Sequence, residues 1–206
     1  MEIISKLQNL KRKQNEVNPQ IREWCERQPS FERAKTLERL EGCGSALLLR
    51  EWIEHEGQIT LTKANFCKSH MLCRACAARR AGKTIAKHSQ TIRHCLDLQP
   101  NLIPALVTLT VKNGPDLRER FEHLANSWRE MTSHAAHAKN PNDFRDRIEW
   151  NKVQGFVRAT EVTNKGNGWH PHFHILCLLD KYIDVHKLSS EWFEFTGDSM
   201  VVDVRK

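Results

Sequence analysis

Trp169-His170-Pro171-His172-Phe173-His174 runs directly into the apolar stretch Ile175-Leu176-Cys177-Leu178-Leu179. On a strand, side chains alternate between faces, so His170, His172 and His174 point one way and Phe173 and Ile175 the other. Neutral imidazole donates nitrogen to a divalent ion, and a buried strand fixes the direction of that donation. One such histidine is ordinarily a solvated strand residue; three in strict alternation favour a metal site. Upstream, Gly155-Phe156-Val157-Arg158-Ala159-Thr160-Glu161-Val162 reads as a second strand, joined to the first through Asn164-Lys165-Gly166-Asn167-Gly168. An Asn/Gly-rich connection favours a hairpin, which sets Glu161 beside the histidines. Two nitrogens and a carboxylate oxygen, with positions left for water and a phosphate oxygen, suit Mn²⁺ or Mg²⁺ as a Lewis acid on a phosphodiester, with zinc an alternative. The plainer reading of Glu161 is a surface carboxylate.

A second set of ligand types lies earlier: Cys43, then Cys67, Cys73 and Cys76, the last two as Cys-x-x-Cys. Two thiolates grip zinc, and Cys67 and Cys43 supply the remaining corners of a closed, structural tetrahedron. His70 is a rival fourth ligand. A redox Cys-x-x-Cys is the competing interpretation, disfavoured because no buried apolar strand introduces the pair. Cys25, Cys95 and Cys177 read as simple buried thiols. Seven cysteines in a chain whose first residues lack the shape of a signal peptide argue against a disulfide framework.

The net charge of +7 is concentrated. Lys63, Lys68, Arg74, Arg79, Arg80, Lys83, Lys87 and Arg93 fall between Lys63 and Leu96 without one Asp or Glu. Solvated helix faces usually mix signs, whereas a single-sign stripe attracts a polyanion, and nucleic acid is the usual one. A mean hydropathy of -0.61 and the absence of any apolar run of about 18 residues describe a soluble, cytoplasmic protein without a membrane partner.

The elements that must hold these groups follow from periodicity. Residues 1–42 show helical spacing with a break at Gln28-Pro29-Ser30, giving one or two exposed helices that form an arm. Residues 43–100 comprise a hairpin about Glu56-Gly57, the cysteine knuckle and a basic helix from Ala75 to Leu98. Residues 101–206 begin with a buried strand, Leu102 to Lys112, and a helix from Asp116 to Ala136 with Leu117, Phe121, Leu124 and Trp128 as core. A polar connection from His137 to Val153, with Asn140-Pro141-Asn142 near its start, leads to the Glu161 strand and the histidine strand. A helix from Asp184 to Phe195 and a strand from Met200 to Val204 close the chain. Strand, helix, strand, strand, helix, strand is the order of a split βαβ sandwich: an α+β fold whose antiparallel sheet carries helices on one face and leaves the other open to nucleic acid.

Leu106-Val107-Thr108-Leu109-Thr110-Val111-Lys112-Asn113, then Glu161, then Trp169 to His174, resemble motifs one and two of rolling-circle plasmid replication initiators of the HUH endonuclease superfamily. Asn65-Phe66-Cys67 through Leu72-Cys73-Arg74-Ala75-Cys76 to Arg79-Arg80 resemble the segment before motif one. The resemblance covers residues from Cys43 to Lys206. It implies a ferredoxin-like HUH core that nicks one strand of origin plasmid DNA by transesterification to a tyrosine, working with host replication machinery. By motif, His172 and His174 are metal ligands, Glu161 the third, and His170, Thr108 and Thr110 supporting residues beside them. Arg74, Arg79, Arg80, Lys83, Lys87 and Lys112 are the expected DNA contacts. The family's tyrosine motif follows the strand resembling Val201 to Lys206, so the sequence reads as truncated before it, and its only tyrosine, Tyr182, stands where the family has scaffold. No catalytic nucleophile is therefore assigned. The rival readings are a non-catalytic zinc-containing nucleic-acid-binding module and a metal-dependent hydrolase acting through activated water.

Overall fold

The structure, a computed structural model, describes residues 2–52, 58–138 and 146–206. It divides into two compact units, Met1–Thr91 and Ile92–Lys206. This differs from the expected partition at residues 42 and 100, because the first helices share a core with the cysteines and the division falls inside one helix.

In the first unit, α1 (Glu2–Asn15), α2 (Asn18–Arg27) and α3 (Phe31–Glu41) are followed by an antiparallel hairpin of β1 (Leu47–Trp52) and β2 (Gln58–Ala64), and by the start of α4 (Arg74–Leu98). The expected turn at Glu56-Gly57 lies outside the described residues. The break at Gln28-Pro29-Ser30 is present, with Ser30 capping α3 by accepting the Arg33 N–H. A second break, before Pro19 at the start of α2, makes three helices of the expected one or two. These helices bury Ile21, Cys25 and Leu40 against Cys43, Cys67, Cys73 and Cys76. Gln14 ties α1 to the same knuckle, donating to the Leu72 carbonyl at 3.1 Å and accepting the Arg74 N–H at 2.8 Å.

In the second unit, β3 (Ile103–Thr110), α5 (Leu117–His137), a short 3-10 helix (Glu149–Lys152), β4 (Val153–Asn164), β5 (Trp169–Leu179), α6 (Val185–Thr196) and β6 (Val202–Arg205) follow in order. The sheet order is β4-β5-β3-β6, antiparallel throughout, so β5 is inserted between β4 and β3 as in a split βαβ unit. Asp116 and Asp184 cap α5 and α6, each accepting two backbone N–H groups. Alternate residues of the central strands, Val107, Leu109, Phe173, Ile175 and Leu179, form the core with Leu124, Met131, Leu188 and Trp192 of the helices. Burial of these side chains is the main force holding the layers together.

Two expectations about this core change. Leu117 and Phe121 are exposed, because the buried stripe of α5 runs through Leu124, Trp128, Met131 and Ala135 and the first turns extend beyond it. Trp150, in the connection expected to be polar loop, is buried edge-on against Trp128. The Asn140-Pro141-Asn142 segment lies outside the described residues. Cys25 and Cys177 are buried as expected, whereas Cys95 is only half-buried. Among the described residues no helix is long and apolar enough to cross a membrane.

Candidate metal centres

Sheet register places the first candidate site. Glu161 of β4 pairs with His172 of β5, which pairs in turn with Thr110 of β3; Ala159, His174 and Thr108 form the next row. Paired residues of an antiparallel ladder share a face, so Glu161, His172 and His174 project together from the face opposite the helices. The Nε2 atoms of His174 and His172 lie 3.1 and 3.5 Å from the same carboxylate oxygen, Oε2 of Glu161. Their side chains range from 11% exposed at His172 to 38% at His174 and 55% at Glu161, so the deepest donor is fixed and the outermost faces solvent.

The second nitrogen of each imidazole is already engaged. His174 Nδ1 lies 3.1 Å from Thr108 Oγ1, and His172 Nδ1 lies 3.3 Å from the His170 carbonyl. A partner on Nδ1 fixes the ring and leaves the Nε2 lone pair aimed at the carboxylate, the usual arrangement behind a metal-binding histidine. Thr110, expected to help in the same way, does not. Its hydroxyl bonds Ser199 Oγ at 3.2 Å, because the backbone before β6 comes within reach on that side. His170 stacks 5.2 Å from His172, and its buried Nδ1 has no hydrogen-bond partner among the described residues. Burial first, then the adjacent His172, hold its imidazole toward the neutral form, against a backbone hydrogen bond with Val111.

The second candidate site is the cysteine knuckle. Sγ of Cys76 lies 3.8 Å from Cys43 and 3.5 Å from Cys67, and Sγ of Cys73 lies 3.5 Å from Cys43. A tetrahedral zinc with bonds of about 2.3 Å has sulfur-to-sulfur edges of roughly 3.8 Å. The four thiols are thus at coordination spacing, far beyond a disulfide bond of about 2.05 Å, and both donor chemistry and geometry fit Zn²⁺. His70 lies outside this group, its Nδ1 set 3.3 Å from a guanidinium nitrogen of Arg80. Burial drives the Cys76 thiol up to about 11 and Cys43 higher still, while Cys67 is lowered: burial opposes the change, but the Ser69 N–H and the neighbouring thiols outweigh it. The Cys67 N–H donates to the sulfur of Cys43 at 3.4 Å. Sequence reading missed this donor, because main-chain groups carry no residue-type signal.

Of the expected DNA contacts, Arg79, Arg80, Lys83 and Lys87 lie exposed along one side of α4. Arg74, nine residues before Lys83, falls roughly 180° away at the helical step. Lys112 is exposed just beyond β3, in the other unit. Tyr182 follows the end of β5, and between His174 and Leu179 alone that strand advances about 17 Å at roughly 3.3 Å per residue. Tyr182 is therefore set apart from the histidines.

An antiparallel sheet presenting two histidines and a glutamate in one unit, and a four-cysteine knuckle in the other, define a protein with two potential metal centres. The chain belongs to the replication protein family, whose profile matches residues 58–203. It is 31% identical over 173 residues to "Protein rep" of Streptococcus pneumoniae serotype 2, covering 82% of this chain and 47% of that protein. It is 27% identical to "Protein rep" of Lactiplantibacillus plantarum, covering 90% of this chain and 59% of that one, and 27% identical to "Protein rep" of Staphylococcus aureus, covering 70% and 62%. The chain spans about half to three-fifths of the length of these curated relatives. No solved structure matches it.

Proposed function

We propose that this chain is the metal-binding and DNA-engaging part of a plasmid rolling-circle replication initiator, with an HUH endonuclease core that binds origin DNA and takes part in nicking one strand. The observation that carries this reading is the convergence of His172 Nε2 and His174 Nε2 on Glu161 Oε2 at the open face of the sheet. Membership of the replication protein family supports it.

The donor set suits Mn²⁺ or Mg²⁺. Bound there, such an ion supplies Lewis-acid polarisation of a phosphodiester oxygen. His172 and His174 hold it through Nε2, Thr108 and the His170 carbonyl keep those rings in place, and Glu161 contributes negative charge from the neighbouring strand. Tyr182 takes no part in the chemistry. Zn²⁺ in the knuckle of Cys43, Cys67, Cys73 and Cys76 is structural, with no open position. Arg74, Arg79, Arg80, Lys83, Lys87 and Lys112 offer phosphate contacts. On this reading the partners are plasmid origin DNA and the host replication machinery, and the place of action is the cytoplasm.

Titration of the chain with Mn²⁺, followed by calorimetry, tests the assignment. One ion per chain is expected at this site, and it is lost in Glu161→Ala and in the His172→Ala/His174→Ala double variant while the circular dichroism is unchanged. Equal uptake by these variants overturns the ligand set. With a single-stranded origin oligonucleotide and Mn²⁺, a covalent adduct on Tyr182 overturns the statement that Tyr182 is a bystander.

A further inference from the structure

The cysteine knuckle borders a groove that the metal chemistry does not use. Two adjoining hollows of 270 and 260 Å³ share Phe66, Lys68 and Arg79 in their walls. Lys63 of β2 closes one, and Arg80 and Lys83 of α4 close the other. No carboxylate lines either hollow, and among the described residues none of these five cations has an ion-pair partner. An unneutralised cluster of this density costs self-repulsion, which an anion relieves.

The groove is also preorganised. The Arg79 guanidinium lies 3.7 Å from the centre of the Phe66 ring, and Arg80 is set against His70. Lys68 has φ of +63°, the one positive value at a non-glycine among the described residues. That left-handed turn is strained for a lysine. The Lys68 carbonyl accepts the His70 N–H at 3.0 Å and the Cys67 N–H donates to the Cys43 sulfur at 3.4 Å, so the turn lies between two anchored residues and sets the Lys68 side chain in the groove wall.

We propose that this groove holds the phosphate backbone of double-stranded DNA, with α4 lying along the duplex. The proposal rests on the DNA-binding reading above, but not on the Glu161 site. Duplex is favoured over single strand by two observations. Sequence-tolerant single-strand binding uses open aromatic faces on which bases stack, whereas Phe66 has a face covered by Arg79. Every residue of α4 from Ala78 to Lys87 is exposed, so about 15 Å of helix stands largely open to solvent. Small residues Ala78, Ala81, Gly82 and Ala86 keep it slender, and a helix about 10–12 Å across matches a major groove about 12 Å wide.

The test is fluorescence anisotropy of the zinc-loaded full chain with a labelled 20-base-pair duplex of arbitrary sequence, and with one of its strands, across a salt series without Mn²⁺. The wild type is expected to bind duplex more tightly than single strand. Lys63→Ala/Lys68→Ala/Arg79→Ala/Arg80→Ala is expected to lose at least tenfold in duplex affinity at about 0.1 M salt. Its slope of log affinity against log salt should fall by about 3.6, since each of the four phosphate contacts contributes about 0.9. A control lacking four exposed cations elsewhere, Arg118, Arg129, Lys181 and Lys187 each changed to Ala, should lose less than threefold. Because Arg79 packs on Phe66, Lys63→Gln/Lys68→Gln/Lys83→Gln, which spares that contact, should repeat the loss with zinc content unchanged. Equal losses in groove and control variants, an unchanged salt slope, or preference for the single strand overturns the proposal. Absence of Mn²⁺ binding by the wild type defeats the nicking assignment alone.

Discussion

At the scale of single residues, His174 shows how two nitrogens of one ring acquire different tasks. Thr108 Oγ1 occupies Nδ1, so Nε2 is left for the carboxylate side. Thr108→Val should keep the strand, since valine favours it, and lower Mn²⁺ affinity by about tenfold, the lower end of what loss of an orienting partner costs; calorimetry measures it, and an unchanged affinity refutes the orienting role. Elsewhere, Glu191 accepts the Glu149 N–H through both carboxylate oxygens. Burial, assisted by the charge of Glu149, raises its pKa despite that hydrogen bond. A carboxyl whose pKa is raised by folding contributes most below the ordinary glutamate range and loses that contribution as pH rises through the folded value. The stability of Glu191→Gln relative to the wild type should therefore improve between pH 4 and pH 7, as read by urea denaturation at each pH; a constant difference contradicts the burial argument.

At the scale of elements, the hairpin joining β4 and β5 governs whether Glu161 meets the histidines. Gly168 has φ of +96°, and a Cβ there would lie 2.8 Å from the Gly114 carbonyl oxygen, where Gly114 and Trp169 form a backbone bridge. Gly168→Ala should cost about 1–3 kcal/mol from backbone strain, visible as a lower midpoint in thermal denaturation; a neutral effect would mean that the turn relaxes freely. Much of this region was legible in the sequence because a strand has a period of two: the alternation from His170 to His174 separates core from open face without knowledge of any neighbour. Register is another matter. That Thr108, and not Thr110, reaches an imidazole depends on where the segment around Ser199 passes, which no local pattern encodes. Leu117 and Phe121 continue the apolar spacing of α5, yet the sheet ends before it covers them. In the knuckle, cysteine spacing revealed the thiols, while the position of Lys63 across from α4 required the hairpin to fold back.

At the scale of the whole molecule, the two units place their candidate centres in different kinds of support. The histidines and Glu161 stand on a sheet whose own core contains Phe173, Ile175 and Trp192, whereas the four thiols are themselves part of the small core of Met1–Thr91. Zinc removal by a strong chelator should therefore raise amide hydrogen exchange across α2, α3 and the start of α4, while β3 and β5 stay protected; uniform loss in both units would show that they do not fold separately. The same dependence bears on the order in which the chain can fold as it is made. Ile21, Cys25 and Leu40 share their core with Cys67, Cys73 and Cys76, so α2 and α3 leave the ribosome before the thiols that complete it. At about 5–20 residues per second, they wait some seconds for the last thiol to emerge, and a cation held by the four sulfurs would then close a core whose first residues were made about fifty residues earlier.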